Sequence, residues 1–395
     1  MRILLVHNYY REPGGEDVVF AQERDLLQRK GHHVVIYTRS NEEALATSSL
    51  DSFRLLTTSI YSHQAESDIT RIIRDEKPDL AHIHNTFMMI SPGIFKALSN
   101  AKVPAVHTIH NYRLLCPASF LYRDGRVCEE CTTRGLMSGV RHGCYRNSRV
   151  HTAAVALMLK THRIAGTWTR HVEAFIALTQ FARHKLLANG FPAERVHVKS
   201  NFIDRDPGQR QGPGEYALFV GRLSPEKGLR TLINAWSRMA FPVPLRIIGD
   251  GPEREQLEAH AHKSSLPHIQ FLGRLDHDQT TAAMKNATFL VLPSLWYEGF
   301  PMVLVESFAC AVPVLASRLG AMEELIADGV SGLHFTAGSA EDLANKASWA
   351  WDHATEMMTM GRNARSTYES KYGPEQNYST LMDIYKQALR PSTVA

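Results

Sequence analysis

The chain has 395 residues, of which 44% are hydrophobic and 21% charged, with 44 Lys and Arg against 40 Asp and Glu, a net charge of +4. That length suits two large domains, each able to bury a core without disulfides or metals, and the composition excludes an intrinsically disordered chain. The charge excess is too small to imply nucleic acid, and no nucleic-acid partner is expected; an anionic small ligand or a phospholipid surface fits it equally well.

The opening apolar run, residues 1–7, is too short for a signal peptide, and the stretch Ala153 to Leu159 falls far short of the ~20 apolar residues that span a bilayer. A cytoplasmic location is therefore expected, and the five cysteines read as thiols or metal ligands rather than disulfides.

In chain order, Arg2–His7, His33–Thr38, Asp79–His84, Val103–His110 and Ala174–Thr179 read as buried strands. Between them Glu16–Lys30, Gln64–Glu76 and Pro92–Asn100 carry helical spacing. Such alternation implies a parallel sheet covered by helices on both faces. The Gly- and Pro-rich polar stretch from Asn201 to Glu215 then reads as an interdomain linker and hinge. Beyond it Tyr216–Val220, Leu245–Ile248, Ile269–Phe271, Thr288–Leu292, Val314–Ser317 and Leu333–Phe335 restart the alternation. The segment from Gly373 to Ala395 reads as a last amphipathic helix, with Tyr378, Leu381, Ile384, Tyr385 and Leu389 on one face. The expectation is an α/β chain of two Rossmann-like domains, 1–205 and 206–371, with a closing helix in 372–395.

Three segments of the second half share a logic. In Phe219–Gly228 a strand, a glycine turn and a helix follow one another, and Gly221 lets the backbone approach a ligand while Arg222 and Lys227 supply cationic heads. Two cations leaving one strand end suit a diphosphate, although two surface cations near a turn would look the same. Gly249 and Gly251 follow the next strand in a similar small-residue turn. In Pro293–Glu306 a buried strand ends, a loop carries Glu298, and a helix begins near Pro301, leaving the N–H groups of Met302 and Val303 to favour an anion. Glu306 lies roughly 8 Å along that helix. The two carboxylates are spread too far for a retaining glycosidase pair, which needs ~5 Å, and each can instead accept hydroxyl hydrogen bonds from a sugar.

In the first half Tyr10–Glu16 follows the first strand, and Gly14 and Gly15 permit the backbone to reach a phosphate. His82, His84, His107 and His110 sit near later strand ends; His110 is the first choice for a functional histidine and His84 the second, with His82 and His107 read as packing or polar-edge residues.

Together, Glu298-Gly-Phe-Pro-x-x-x-x-Glu306, Gly221-Arg-Leu-x-x-x-Lys227-Gly228 and Gly249-x-Gly251-Pro252 resemble the signature set of the retaining glycosyltransferases of family 4. The resemblance covers essentially the whole chain. It implies the GT-B fold, with parallel sheets facing across an interdomain cleft and the C-terminal helix crossing back to the N-terminal domain. It further implies a nucleotide-diphosphate sugar donor, with Arg222 and Lys227 neutralising the diphosphate, Glu298 on the donor sugar and Glu306 on the ribose. Backbone from Gly299 through Phe300, Pro301, Met302 and Val303 would cradle phosphate, with Gly14, Gly15, Gly221, Gly249 and Gly251 in the donor site and Leu275 beside the base. The matching histidine, His110, would touch the donor sugar; the family has Asp where this chain has Asn111.

No cofactor is expected for catalysis: Asp204-Arg205-Asp206 mimics a metal-binding Asp-x-Asp but lies in the linker. Transfer with retention to a saccharide or lipid-linked acceptor in surface glycan assembly is what the resemblance implies. Its rivals are a nucleotide-sugar epimerase, a sugar-phosphate synthase or a non-catalytic nucleotide-sugar sensor.

The segment 112–150 is an insert with Cys116, Cys128, Cys131 and Cys144 spaced C-x11-C-x2-C-x12-C, which resembles a structural zinc site; free thiols or a labile disulfide are the alternatives. Arg134, Arg141, Arg146, Arg149, Lys160 and Arg163 cluster beside Ala153–Leu159, either at the inner membrane surface or on the solvated face of a buried helix.

Overall fold

A computed structural model describes residues 1–12, 14–43 and 57–390; Pro13 of the Tyr10–Glu16 turn, residues 44–56, and 391–395 at the end of the expected closing helix lie outside the described residues. The chain divides into two compact units. One comprises Met1–Leu121, Glu129–Asn201 and the chain from Pro374 onward, the other Tyr122–Cys128 and Phe202–Gly373.

The first unit holds β1 (Arg2–Tyr9), β2 (His33–Ser40), β3 (Leu80–Ile83) and β4 (Ala105–Ile109). A small hairpin, β5 (Tyr122–Arg123) and β6 (Arg126–Val127), intervenes before β7 (Ala174–Ala177) and β8 (Val196–Val198) complete the sheet. Its order is β2-β1-β3-β4-β7-β8, parallel throughout. Three-residue β8 escaped the sequence reading because an edge strand this short, with His197 between two valines, carries almost no periodicity. Ile3, Leu5, Phe20, Leu27, Val106 and Ile176 form the core, and Leu381, Ile384 and Tyr385 of the C-terminal helix Pro374–Ala388 pack into it.

The second sheet holds β9 (Tyr216–Val220), β10 (Leu245–Ile248), β11 (Ile269–Gly273), β12 (Ala287–Leu292), β13 (Val314–Ser317) and β14 (Gly332–Phe335) in the order β11-β10-β9-β12-β13-β14. Each sheet runs from its first strand to one edge, β1 to β2 and β9 through β10 to β11, then reverses to the other side of that first strand. Open α/β sheets bind ligands at such reversals, because the loops leaving two adjacent strands there diverge to opposite faces and leave a crevice.

Side chains of the expected linker have partners within the second unit. Arg210, on the Gly- and Pro-rich stretch, is largely buried and donates from Nη1 to the Ala287 and Thr288 carbonyls at 2.7 and 3.1 Å. Burial pushes its guanidinium down to about 10. Asp206 accepts from Arg365 Nη1 at 2.6 Å, an ion pair within the second unit. The stretch is thus laced to that unit from Phe202 onward.

Glycine is required at Gly249, where φ is +133° and an added Cβ would lie 1.8 Å from the Gly221 carbonyl oxygen. At Gly14, by contrast, φ is −128° and an added Cβ would meet nothing within 4 Å. Gly249→Ala is expected to destabilise the second unit by about 2–4 kcal/mol, through strain and a backbone collision, and Gly14→Ala to leave stability within about 0.5 kcal/mol. Denaturant unfolding of the two variants measures both.

Candidate functional site

In the second unit the reversal lies between β9 and β12, and the loops leaving these strands carry most of the residues singled out from the sequence. After β9 the chain turns through Gly221–Ser224 into the single 3-10 turn Pro225–Lys227, and Gly228, at φ +73°, starts the helix Leu229–Trp236. An added Cβ on Gly228 would lie 1.9 Å from the Pro293 carbonyl oxygen, so glycine here lets the two loops touch. They are tied by the Leu295 N–H donating to the Glu226 carbonyl at 2.8 Å.

Side chains complete the junction. Lys227 Nζ donates to Glu298 Oε1 at 2.8 Å, and Ser294 Oγ donates to the same oxygen at 2.6 Å. Glu298 is buried, and Lys227 also stands 5.5 Å from the centre of the Trp296 ring. Both bonds fall on one carboxylate oxygen; Oε2 has no partner among the described residues, and two of the three ammonium protons remain to serve a ligand. Arg222 is exposed at the end of β9.

Four residues further on, the helix Met302–Ala309 begins, with Pro301 as its N-cap. The Leu304 N–H returns to the Pro301 carbonyl, while the N–H groups of Met302 and Val303 precede the first intrahelical bonds, as helix geometry requires. Glu306 follows within the helix, and burial raises its carboxyl above the usual range. Phe300 is buried with its ring edge-on to Tyr372 at 5.8 Å, so its side chain packs and its backbone is what borders the loop.

Gly249 and Gly251 have a part in the fold itself. An added Cβ on Gly251 would lie 2.4 Å from the Leu223 carbonyl oxygen, and Leu223 N donates to Asp250 O at 2.9 Å. These glycines let the β10 loop press against the β9 loop, and so hold Arg222 in place through the backbone. Leu275 follows β11, the edge strand two places from β9, and is half-buried.

In the first unit the reversal lies between β1 and β3. Gly14 caps the helix Gly15–Arg29, and its N–H donates to Asp17 Oδ2 at 2.8 Å, while Asp17 Oδ1 meets His7 Nε2 at 2.7 Å. Glu16, in the first turn, accepts from Asn85 Nδ2 at 2.9 Å and Asn111 Nδ2 at 3.2 Å. Burial first, and the Asp17 charge second, push its carboxyl up to about 8. Asn111 therefore has a defined part: its amide holds Glu16, and its Oδ1 accepts from the Arg113 N–H at 3.0 Å.

His110 Nε2 lies 3.0 Å from His84 Nδ1, with the two rings stacked at 5.2 Å. His84 Nε2 lies 3.2 Å from Glu23 Oε1, and Glu23 Oε2 accepts from Lys199 Nζ at 2.9 Å. Burial alone would raise Glu23, but Lys199 and His82 outweigh it and hold the carboxyl well below its ordinary value. Burial drives His84 down to about 3, and His110 is lowered for the same reason. An ionised Glu23 fixes the protons in sequence. Neutral His84 carries its proton on Nε2, so His84 Nδ1 is an acceptor. His110 must then donate from Nε2, which leaves its Nδ1 as a lone pair.

His82 belongs to the same network: its Nδ1 lies 2.9 Å from Glu23 Oε1 and 2.7 Å from the Tyr385 hydroxyl, and its Nε2 lies 2.7 Å from Thr108 Oγ1. It is thus a buried polar hub of this network. Glu23 and Lys199 carry no mark in the sequence reading, and Tyr385 reads there only as part of the apolar face of the closing helix. One signal was present for Glu23, a lone acid on the buried stripe Phe20–Glu23–Leu27 of its helix.

Ligand atoms of three or more metal-capable side chains gather within 4.8 Å at two places among the described residues, Glu23 with His82 and His84, and His7 with Glu16 and Asp17. The first already satisfies its carboxylate with Lys199. The four insert cysteines form no such group, whereas sulfurs around one tetrahedral zinc ion stand about 3.8 Å apart. Cys116 and Cys131 are hydrogen-bonded to one another; that bond lowers Cys116 to about 6 and raises Cys131.

Two family models match consecutive parts of the chain, the "Glycosyltransferase Family 4" model over residues 13–207 and the "Glycosyl transferases group 1" model over 201–367. The chain is 30% identical over 219 residues to the uncharacterized glycosyltransferase MJ1178 of Methanocaldococcus jannaschii, a match covering 55% of this chain and 61% of that protein. It is 26% identical over 367 residues to the phosphatidyl-myo-inositol mannosyltransferase of Mycolicibacterium smegmatis, covering 87% and 83%. Among solved structures, Anabaena Alr3699/HepE in complex with UDP superposes with a TM-score of 0.68 at 19% identity, covering 98% of this chain and 100% of that one. The shared fold is GT-B.

Glu23 and Lys199 form a buried ion pair, so removing one partner should cost much more than removing both. Lys199→Met is expected to destabilise the first unit by about 3–5 kcal/mol, and the double variant with Glu23→Gln to recover at least half of that loss. Equilibrium unfolding of the single and double variants measures the difference.

Proposed function

Because the chain belongs to the family 4 type of glycosyltransferases with the GT-B fold, we propose that it transfers a sugar from a nucleotide-diphosphate donor to a saccharide or lipid-linked saccharide acceptor, with retention of configuration and without a metal. The observation that carries this reading is the Lys227–Glu298 contact beside the start of the Met302–Ala309 helix, at the reversal of the second sheet.

A diphosphate placed there meets the Lys227 ammonium, the Arg222 guanidinium one loop earlier, and the helix-start N–H groups of Met302 and Val303. Fixed positive groups stabilise the negative charge that grows on the departing phosphate, which is the part a divalent cation plays elsewhere. Glu298 Oε2 is positioned to accept from hydroxyls of the donor sugar, and Glu306 from ribose hydroxyls. The raised carboxyl of Glu306 suits a hydrogen-bonding rather than an ion-pairing part.

For retention we infer front-face transfer. The bond from the anomeric carbon to the phosphate oxygen breaks, the bond to the acceptor oxygen forms on the same face, and the acceptor proton passes to the leaving phosphate oxygen. No enzymic nucleophile or base is then consumed. His110, held neutral by burial and oriented through His84 and Glu23, contributes hydrogen bonding to the sugar rather than charge. Gly14 leaves the backbone clear for a ligand, and since the fold does not demand glycine there, the missing side chain supports a binding part. The mannosyltransferase relative named for phosphatidyl-myo-inositol favours a lipid-linked acceptor. Uridine nucleotides are the first donors to try, since HepE was solved with UDP. Surface glycan assembly on the cytoplasmic side of a membrane is the setting that suits these substrates.

Lys227→Ala should lower kcat by about 10²–10³. Turnover of nucleotide-diphosphate sugars, followed by release of the nucleoside diphosphate, measures this. Near-normal rates would remove the residue from the reaction, and an inverted anomeric product would remove the front-face step.

A further inference from the structure

The helix Arg149–Ile164 has two apolar faces. Thr152, Val155, Ala156, Met158, Leu159 and His162 are buried against the first unit. At about 100° per residue, Val150, Ala153, Leu157 and Ile164 fall in one narrow stripe on the opposite side. All four are exposed, Val150 at 79%, Leu157 at 50% and Ile164 at 75%. From Val150 to Ile164 the stripe runs about 21 Å along the helix. Met137, just before it in the chain, is 71% exposed.

The charge around this stripe is one-sided. From Cys131 to Val172 the chain contains no Asp or Glu, but it contains Arg134, Arg141, Arg146, Arg149, Lys160, Arg163 and Arg170. The whole protein has a net charge of only +4, so the rest of the chain is net acidic. Arg149 and Lys160 border the stripe directly, and both are exposed. A solvated helix face has no reason to carry three large aliphatic side chains in register, and a surface for nucleic acid has none either.

We propose that this face of the first unit docks on an anionic lipid bilayer. The helix lies in the interfacial plane, with Val150, Leu157 and Ile164 among the acyl chains and the basic side chains at headgroup level. Docking stands on this geometry alone. That it brings the enzyme to a lipid-linked acceptor rests on the function proposed above.

The test is flotation of the full chain with vesicles of phosphatidylcholine alone and of equal parts phosphatidylcholine and phosphatidylglycerol. Binding is expected to the anionic vesicles and to weaken with added salt, because each basic side chain near such a surface raises the partition by about fivefold. Leu157→Asp with Ile164→Asp should reduce the bound fraction by about tenfold or more. Both positions face solvent, so the melting temperature and its rise with a nucleoside diphosphate should be unchanged. Failure of the parent chain to float with anionic vesicles, or flotation of the double variant like the parent, would overturn the proposal. So would light scattering that shows a parent dimer, converted to monomer by the double variant, without vesicle binding: the stripe would then be a contact between two copies. Loss of the nucleotide response with flotation intact would instead strike at the proposed activity.

Discussion

The contact on which the functional reading depends is the one between Lys227 and Glu298, made by side chains from two loops far apart in sequence. It exists because the second sheet starts at β9, builds outward to β11 and then reverses, which places β12 beside β9. Their loops must then leave the sheet side by side. Gly228 lets the backbones meet, and Leu295 ties them by a hydrogen bond. The ion pair sits on this junction, with a lysine that keeps protons to spare and a carboxylate that keeps one oxygen open. A site held this way is organised before any ligand arrives, which is the condition under which fixed charges stabilise a transition state most.

The first unit also reverses beside its first strand, but with different chemistry. Its reversal between β1 and β3 gathers Glu16, Asn85, His84 and, from the next strand, His110 and Asn111. Behind them Glu23 and Lys199 form a buried ion pair that orders the protons of two histidines. Buried pairs contribute little net stability, and their best-attested value is to specify one arrangement. Here the arrangement specified is the direction in which His110 donates. Tyr385 and Asn377 of the C-terminal helix reach the same network, so that helix supports the polar centre as well as the hydrophobic core.

Strand–helix alternation and the motifs after β9 and β12 were legible because their causes are local. A buried parallel strand is a short apolar run, and a glycine or proline marks its exit. What sequence could not give were partners. Nothing in the spacing of residues 227 and 298 says that they touch, and nothing near His110 says that a glutamate from the first helix orients it through His84. The spacing of Gly249 and Gly251 likewise does not say that they admit the β9 loop, since a glycine that admits a ligand and one that admits a neighbouring loop are written identically. The stretch from Asn201 to Glu215 shows a related limit: its composition is that of a linker, yet Arg210 and Asp206 find partners more than 75 residues away in sequence. Cysteine spacing likewise does not say which sulfurs meet, and the fold hydrogen-bonds Cys116 to Cys131.

The most direct test of the account is calorimetric titration of UDP, GDP and ADP into the parent chain and into Lys227→Met. One nucleoside diphosphate should bind the parent selectively and bind the variant about 10- to 100-fold more weakly, with the matching monophosphate affected far less. Equal affinity of parent and variant for the selected diphosphate would contradict the claim that the junction of the β9 and β12 loops is where the pyrophosphate is held.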